Sequence, residues 1–458
     1  MKRESIWLLL ALFFTGTAIA QDTVKYDQYG MEVESENVKA EMQDGRLVFE
    51  SVDSDYRIWL DARVQADYAG FFGVDDDYDP IGNGASIRRA RFAVKAQVTK
   101  NWYGEIDIDM ANGFAELKDA ILRYDGIKNV EVQIGNFKEN FSMQRTTSSR
   151  YLQFMERPMV TYLAPSRHIG ANVKYSIPVI WASGGIFFQE IAGAEEVANV
   201  QDNNKDFGRG TGVSYTGKLA IRPLHKLNGM GLHIGGAVSY RTPKAHDSPG
   251  DYGGMRFSTR NSTSINRKKY IDTDVIKGVD HSLLYTAELA GHYKGLRFES
   301  AYIGTTVYLK DDSPAVNKKD KNFGGWYAQA GYLLFGGQQR YDQGGAKYNR
   351  IRRGQKWGDV ELTARYESLD LNDFTGGVYG GAGEAYALGL NFWVRNNVKF
   401  MLNYQYNNND RFATGKGKLF VGHDASGTPT KDYTKVTETK GEAGVDYSMV
   451  SVRCEIVF

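Results

Sequence analysis

From Ile87 to Val98 the chain reads I-R-R-A-R-F-A-V-K-A-Q-V. Ala90, Phe92, Val94, Ala96 and Val98 share one parity; Arg89, Arg91, Lys95 and Gln97 share the other. Side chains alternate faces along a strand, so this segment predicts a strand with one apolar face and one cationic face. Tyr56 to Tyr68 repeats the pattern. Tyr56, Ile58, Leu60, Ala62, Val64, Ala66 and Tyr68 lie on one face, and Arg57, Asp61, Arg63, Gln65 and Asp67 on the other. Tyrosines bracket the apolar face, as where a strand crosses two membrane–water interfaces. The chain closes on Val450, Val452, Cys454, Ile456 and Phe458, alternating with Ser451, Arg453, Glu455 and Val457.

Alternating runs of this kind predict sixteen strands: 56–69, 87–98, 102–110, 117–125, 128–135, 168–177, 181–190, 211–222, 230–241, 283–293, 295–308, 323–335, 358–370, 384–394, 397–408 and 446–458. Their connections alternate in length. Thr99-Lys100-Asn101, Asp125-Gly126, Ile177-Pro178 and Asn396-Asn397 mark tight turns, and the intervening loops 70–86, 136–167, 191–210, 242–282, 309–322, 371–383 and 409–445 are long. The stretch 336–357 breaks this rhythm, being long where a short turn is due. An even strand number with short turns at one end and long loops at the other predicts an all-β, antiparallel transmembrane β-barrel of about sixteen strands. A soluble sandwich ending in a strand is the alternative.

Composition narrows the choice. The chain has 458 residues, 59 of them aromatic (Tyr 29, Phe 23, Trp 7), with Gly 51, Pro 9 and a single cysteine. Mean hydropathy is −0.46. A helical membrane protein needs runs of about 20 apolar residues, and a disordered chain is poor in aromatics. Lys2 and Arg3, the apolar run Ile6 to Phe14, and Ala18-Ile19-Ala20 read as a secretory signal peptide over residues 1–20, cut near Ala20. Residues 21–55 are then a polar periplasmic segment and 56–458 the barrel. Basic and acidic residues number 56 and 55, so no nucleic-acid partner is expected. Cys454 falls on the apolar parity and has no partner for a disulfide.

The loop 136–167 carries Lys138, Arg145, Arg150, Arg157 and Arg167 against only Glu139 and Glu156. It also carries Phe137, Phe141, Tyr151, Phe154, Met155 and Tyr162, which a solvated loop does not need. Folded into the lumen as a constriction loop, it would bury the aromatics and hold cations in the bore; the alternative is a loop covering the mouth. Several runs resemble the phosphate-selective porin O/P family. They are Arg88-Arg89-Ala90-Arg91-Phe92, Asn101-Trp102-Tyr103-Gly104-Glu105-Ile106-Asp107, Glu116-Leu117-Lys118-Asp119-Ala120 and Ile134-Gly135-Asn136-Phe137-Lys138-Glu139-Asn140-Phe141. Glu361-Leu362-Thr363-Ala364-Arg365-Tyr366 looks like a later block of the same family. Asn140 stands where the family commonly has proline. The resemblance implies a sixteen-stranded bacterial outer-membrane porin, a homotrimer, with cationic ladders guiding anions. The carboxy-terminal Phe458 looks like the signal read by the barrel assembly machinery.

Anion passage needs convergent Arg and Lys donors. The candidates are Arg89, Arg91, Lys95, Lys138, Arg150 and Arg157, with Arg57, Arg63 and Arg123 extending the track on lumen parity. Small anions such as phosphate are the expected cargo. Asp61, Asp67, Glu105, Asp107, Asp109 and Asp119 oppose the cations, so a wall of mutually satisfied pairs, in a general or sugar-type porin, is the competing reading. Arg267-Lys268-Lys269 could meet lipopolysaccharide phosphates or be solvated, and the basic cluster Arg340, Lys347, Arg350, Arg352, Arg353 and Lys356, which faces only Asp342, reads as a solvated loop. No metal or cofactor motif occurs, and the pairs His233 with Ser239 and His292 with Ser300 carry no mark of catalysis.

Overall fold

The computed structural model describes residues 25–33, 37–111, 113–188, 190–191, 212–243, 253–260, 262–315, 317–439 and 442–458. The expected signal peptide lies outside these. Sixteen antiparallel strands form a closed barrel. They are β1 Tyr56–Phe72, β2 Gly84–Val98, β3 Trp102–Asp109, β4 Glu116–Ile127, β5 Val130–Lys138, β6 Arg167–Ser176, β7 Ile180–Phe187 and β8 Ser214–Ile221. The series continues with β9 Met230–Arg241, β10 Val279–Tyr293, β11 Leu296–Leu309, β12 Lys321–Leu333, β13 Asp359–Asp373, β14 Val378–Trp393, β15 Val398–Asn409 and β16 Tyr447–Val457. Each expected strand is present. Several strands, β1, β2, β5, β10, β13 and β14 among them, run longer at the mouth than alternation indicated, and 371–383 is no long loop: β13 and β14 are joined by residues 374–377.

β16 pairs with β1 from Arg63↔Val457 to Phe72↔Ser448, which closes the cylinder. Closure is obligatory in hydrocarbon, where an open sheet edge would leave its backbone groups unsatisfied. The last residue completes the seam: Phe458 N–H donates to Ala62 O at 3.0 Å and Ala62 N–H donates to Phe458 O at 2.6 Å. Outward positions are apolar, among them Ile106, Leu219, Leu362, Leu388, Leu402 and Val452. Cys454 is exposed on this outer face.

The segment before the barrel forms a hairpin, Val38–Gln43 with Arg46–Ser51. Val48–Glu50 pair with Arg57–Trp59, extending the sheet past the seam at the short-turn end. The hairpin tip reaches the β14–β15 turn, where Asn397 Nδ2 donates to Asp44 O at 3.1 Å.

Several connections enter the bore; Tyr270 and Ile271 of the β9–β10 loop join the packing at the mouth, and two others divide its length. Residues 139–166 carry three short helical turns, Met143–Thr146, Ser149–Tyr151 and Met159–Tyr162. Phe141, Leu152, Phe154, Met155, Met159 and Val160 are buried. The β12–β13 connection enters from the opposite end and carries Lys347 inward, while Arg340, Arg352 and Lys356 of its basic cluster stay exposed. Its small hairpin, Tyr341–Asp342 with Lys347–Tyr348, packs inward. Trp181 Nε1 donates to Gly344 O at 2.8 Å, and Tyr348 packs against Met143 and Ala290. The rhythm of short and long connections breaks here because this turn is an internal element of the bore.

Candidate functional site

The loop 139–166 is fastened to one side of the barrel. Met143 N–H donates to Glu288 at 2.5 Å, Met155 N–H to Asn403 at 3.0 Å and Met159 N–H to Glu367 at 2.6 Å. Its carbonyls are met in turn: Met155 O by Arg453 at 2.6 Å, Glu156 O by Arg365 at 2.8 Å, Gln153 O by Asn391 at 2.9 Å and Arg150 O by Lys399 at 2.9 Å. A buried irregular backbone needs such partners for every N–H and C=O. All seven wall residues lie on β10 and β13 to β16. The wall also makes room. A Cβ on Gly331 would stand 2.1 Å from the Gln153 amide nitrogen, so a side chain there would require Gln153 to move. On this side the mouth half of the bore is packed with apolar groups, including Phe71, Met159, Tyr270, Tyr327 and Tyr447.

What remains open runs between the loop and β1 to β6. Toward the long-loop end, a cavity of about 270 Å³ is lined by ten basic residues and two acidic ones, Asp109 and Glu116. Below it, a cavity of about 290 Å³ has nine basic residues against Asp61, Glu105, Asp107 and Asp119. Arg91, Lys138 and Arg167 belong to both walls. Lys138 and Arg167 end β5 and begin β6, directly opposite each other in register. The ladder that roots the loop thus plants two cations where the cavities meet.

The expected cations divide into two classes. Some are matched by acids. Arg91 holds Asp109 at 2.9 Å and Asp107 at 3.4 Å. Lys95 lies between Asp61 at 3.2 Å and Glu105 at 3.3 Å. Arg150 grips Asp61 with both terminal nitrogens, one at 3.0 Å, and Arg123 bonds Asp125 at 2.9 Å. The others are held only by neutral groups. Arg63 donates to Ser149 Oγ at 2.9 Å and Arg89 to Gln65 at 2.7 Å. Arg157 donates to Gln144 O at 2.6 Å and Thr147 O at 2.7 Å, and Lys138 reaches the same Thr147 O at 3.4 Å. Burial, reinforced by the neighbouring Arg145, pulls the Arg157 pKa down. Arg57 leaves the list of lining residues: it bonds Gln43 of the hairpin and lies over the Trp59 ring, below both cavities.

Strict alternation missed Arg88. Gln65 pairs with Arg89 but Ala66 pairs with Ile87, so β2 has a bulge there. The extra residue lets adjacent arginines both enter the bore. Arg88 Nε donates to Glu156 at 2.5 Å. Burial disfavours the Glu156 carboxylate, but Arg88, Arg89 and Arg453 overcome it and hold its pKa well below the ordinary range. A charge on the lipid parity of a strand was the available signal. Other lining cations come from segments remote in sequence. Arg145 joins the upper cavity, as do Arg260 and Arg267 of the 242–278 loop; Lys174 and Lys347 join the lower.

The imagined Ser–His pairs do not form. His233 Nδ1 bonds Tyr341 OH at 2.6 Å, and Ser239 Oγ bonds Thr216 Oγ1 at 2.8 Å. Ser300 Oγ donates to Tyr327 O at 2.8 Å.

Comparison with known proteins agrees with this architecture. Residues 58–423 match the family model described as phosphate-selective porin O and P. Porin O of Pseudomonas aeruginosa is 25% identical over 408 residues, covering 81% of this chain and 88% of that one. An uncharacterised Caulobacter vibrioides protein is 25% identical over 332 residues, 71% of this chain; the match spans 63% of that relative's length. Among solved structures, a loop-deletion form of OmpT, an outer-membrane protein of Vibrio cholerae, superposes with TM-score 0.51 at 12% identity. It covers 88% of this chain and all of that one. With the family model spanning most of the barrel, the chain belongs to the phosphate-selective porin O and P family of outer-membrane porins.

Proposed function

We propose that the two cavities form one conduit for small anions, phosphate among them, through the outer membrane. The observation that carries this is the second class of cations. Arg63, Arg89, Lys138 and Arg157 form no ion pair among the described residues and are held by neutral oxygens. A buried cation bonded only to neutral groups is incompletely compensated, even with Glu156 near Arg89 and Asp119 near Lys138, and a passing anion relieves the remaining cost. Guanidinium forks suit tetrahedral oxyanions. Neighbouring sites in two linked cavities let one anion displace the next, so binding stays weak enough for exit. The acid-paired cations set the walls, while the neutral-held ones supply the net field.

The short-turn end, with its hairpin, faces the periplasm in this reading. In this reading the chain starts with a signal peptide cut near Ala20, assembles through its terminal Phe458 and forms a homotrimer; the Lys2-Arg3, Ile6 to Phe14 and Ala18-Ile19-Ala20 pattern supports the first, the amphipathic last strand the second and family membership the third. Lipopolysaccharide surrounds the long-loop rim. Reversal potentials of single channels in a potassium chloride gradient test the main claim: chloride is expected to be preferred, and a cation preference refutes it. Millimolar phosphate is expected to reduce chloride current. That block weakens in the Arg63→Ala, Arg89→Ala and Arg157→Ala variants, and undiminished block in all three removes the site assignment.

A further inference from the structure

The loop joining β1 to β2 contains Asp75-Asp76-Asp77-Tyr78-Asp79. It lies against the loop between β15 and β16, which carries His423 and Glu438. Among the described residues no Lys or Arg pairs with Asp75 or Asp77; His423 is the group that faces them. The imidazole is fixed from behind. Its Nδ1 lies 2.7 Å from Glu438 Oε1, and the His423 backbone N–H donates to that oxygen at 2.6 Å. Tyr78 stacks on the ring with centroids 5.7 Å apart. With Nδ1 engaged, Nε2 points at the carboxylates and lies 3.6 Å from Asp77 Oδ2. That separation is long for a hydrogen bond. It matches the edge of a zinc tetrahedron, whose ligand atoms, bonded at about 2.0–2.2 Å, stand roughly 3.4 Å apart. One ligand atom each from Asp75, Asp77 and His423 lies within 4.8 Å of the other two.

Hard cations such as calcium want six or more oxygens. One imidazole with two carboxylates, its far nitrogen held by a third carboxylate, is the donor set of a first-row transition ion. We propose that Asp75, Asp77 and His423 bind one divalent ion of the zinc class at the long-loop mouth, with Glu438 as the residue that orients His423. β1 and β16 form the seam of the cylinder. The ion therefore clips together the two loops that flank this seam, and it lies apart from the anion conduit.

The test is calorimetric titration of zinc chloride into the purified full-length barrel in detergent near neutral pH. One ion per chain is expected, with a Kd of about micromolar order. His423→Ala and the double variant Asp75→Asn with Asp77→Asn should each weaken binding about 100-fold or more, and Glu438→Gln by about 10-fold, as loss of an outer carboxylate does. His281→Ala, which removes an imidazole paired with Asp280 instead, should leave the isotherm unchanged. Unaltered single-channel conductance in zinc-free buffer shows that each variant is folded. The proposal is overturned if the native chain takes up no stoichiometric zinc, if His423→Ala titrates like the native chain, or if His281→Ala abolishes the signal.

Discussion

At the residue scale, the acceptor decides what a lumen cation can do. Arg150 and Lys138 looked alike in the sequence, yet one faces a carboxylate and the other a carbonyl. Lys138→Ala combined with Arg157→Ala is therefore expected to lower the chloride-to-potassium permeability ratio several-fold, measured by reversal potential. Arg150→Ala should change it less, because the Asp61 it leaves behind keeps Lys95 at 3.2 Å and Arg46 at 3.6 Å. Arg453 behaves differently again: it is buried and bonds Asp67 at 2.7 Å and Glu156 at 3.2 Å. Removing one member of such a network strands the others, so Arg453→Met should cost about 3–5 kcal/mol of stability in urea unfolding. Glu156 also makes a pH prediction. Its pKa is lower in the folded state than its ordinary value, so its contribution is present above about pH 4.3 and is lost as pH falls through the lower, folded value. Open-channel noise should stay quiet from neutral pH to below the ordinary carboxylate range and rise only in stronger acid. In Glu156→Gln it should be high at pH 7; a quiet variant would show that the Glu156 bonds to Arg88 and Arg453 do not hold the loop in place.

At the element scale, the bore is divided by two inserted connections meeting at Met143 and Tyr348. The 139–166 loop seals one side because that wall offers donors and acceptors in the order its backbone requires. Seating depends on space as much as bonding. Gly331→Val would thrust a side chain into Gln153, and the expected outcome is a displaced loop with fluctuating conductance in an otherwise folded barrel. Deleting residues 341–348 removes the lower hairpin and the Lys347 charge, so conductance should rise and anion preference fall. Conductance unchanged by that deletion would show that the hairpin narrows nothing.

At the scale of the whole molecule, two solvents act on one sheet. The outer face meets hydrocarbon, and the inner face meets water and packed loops. Replacing Leu388, exposed on the outer face, by Arg should cost about 2–4 kcal/mol if it lies at the bilayer midplane. The same change at an inward position would instead alter permeation. The bore is not evenly wet: its far side is apolar packing and its near side is charged. The cavities are consequently off-centre, and most of their charge comes from β1 to β6 and the loop surface facing them, with Arg260, Arg267 and Lys347 added from other connections.

Strand number, closure and the two faces were legible in the residues because alternation is a local property, written every second position by the contrast between lipid and water. The aromatics of 136–167 likewise announced burial, since Phe141 and Phe154 have no place in a solvated loop. Pairing was not legible. Whether Arg63 meets Ser149, or Asp61 meets Arg150, depends on a loop some 86 or 89 residues away, and composition alone left matched and unmatched cations equivalent. The bulge at Arg88 and the inward turn of 336–357 also escaped alternation, because each depends on what stands opposite once the cylinder has closed. The one-dimensional pattern thus determined a barrel with a charged interior, and only the tertiary structure decided which of those charges meet carboxylates and which meet neutral oxygens.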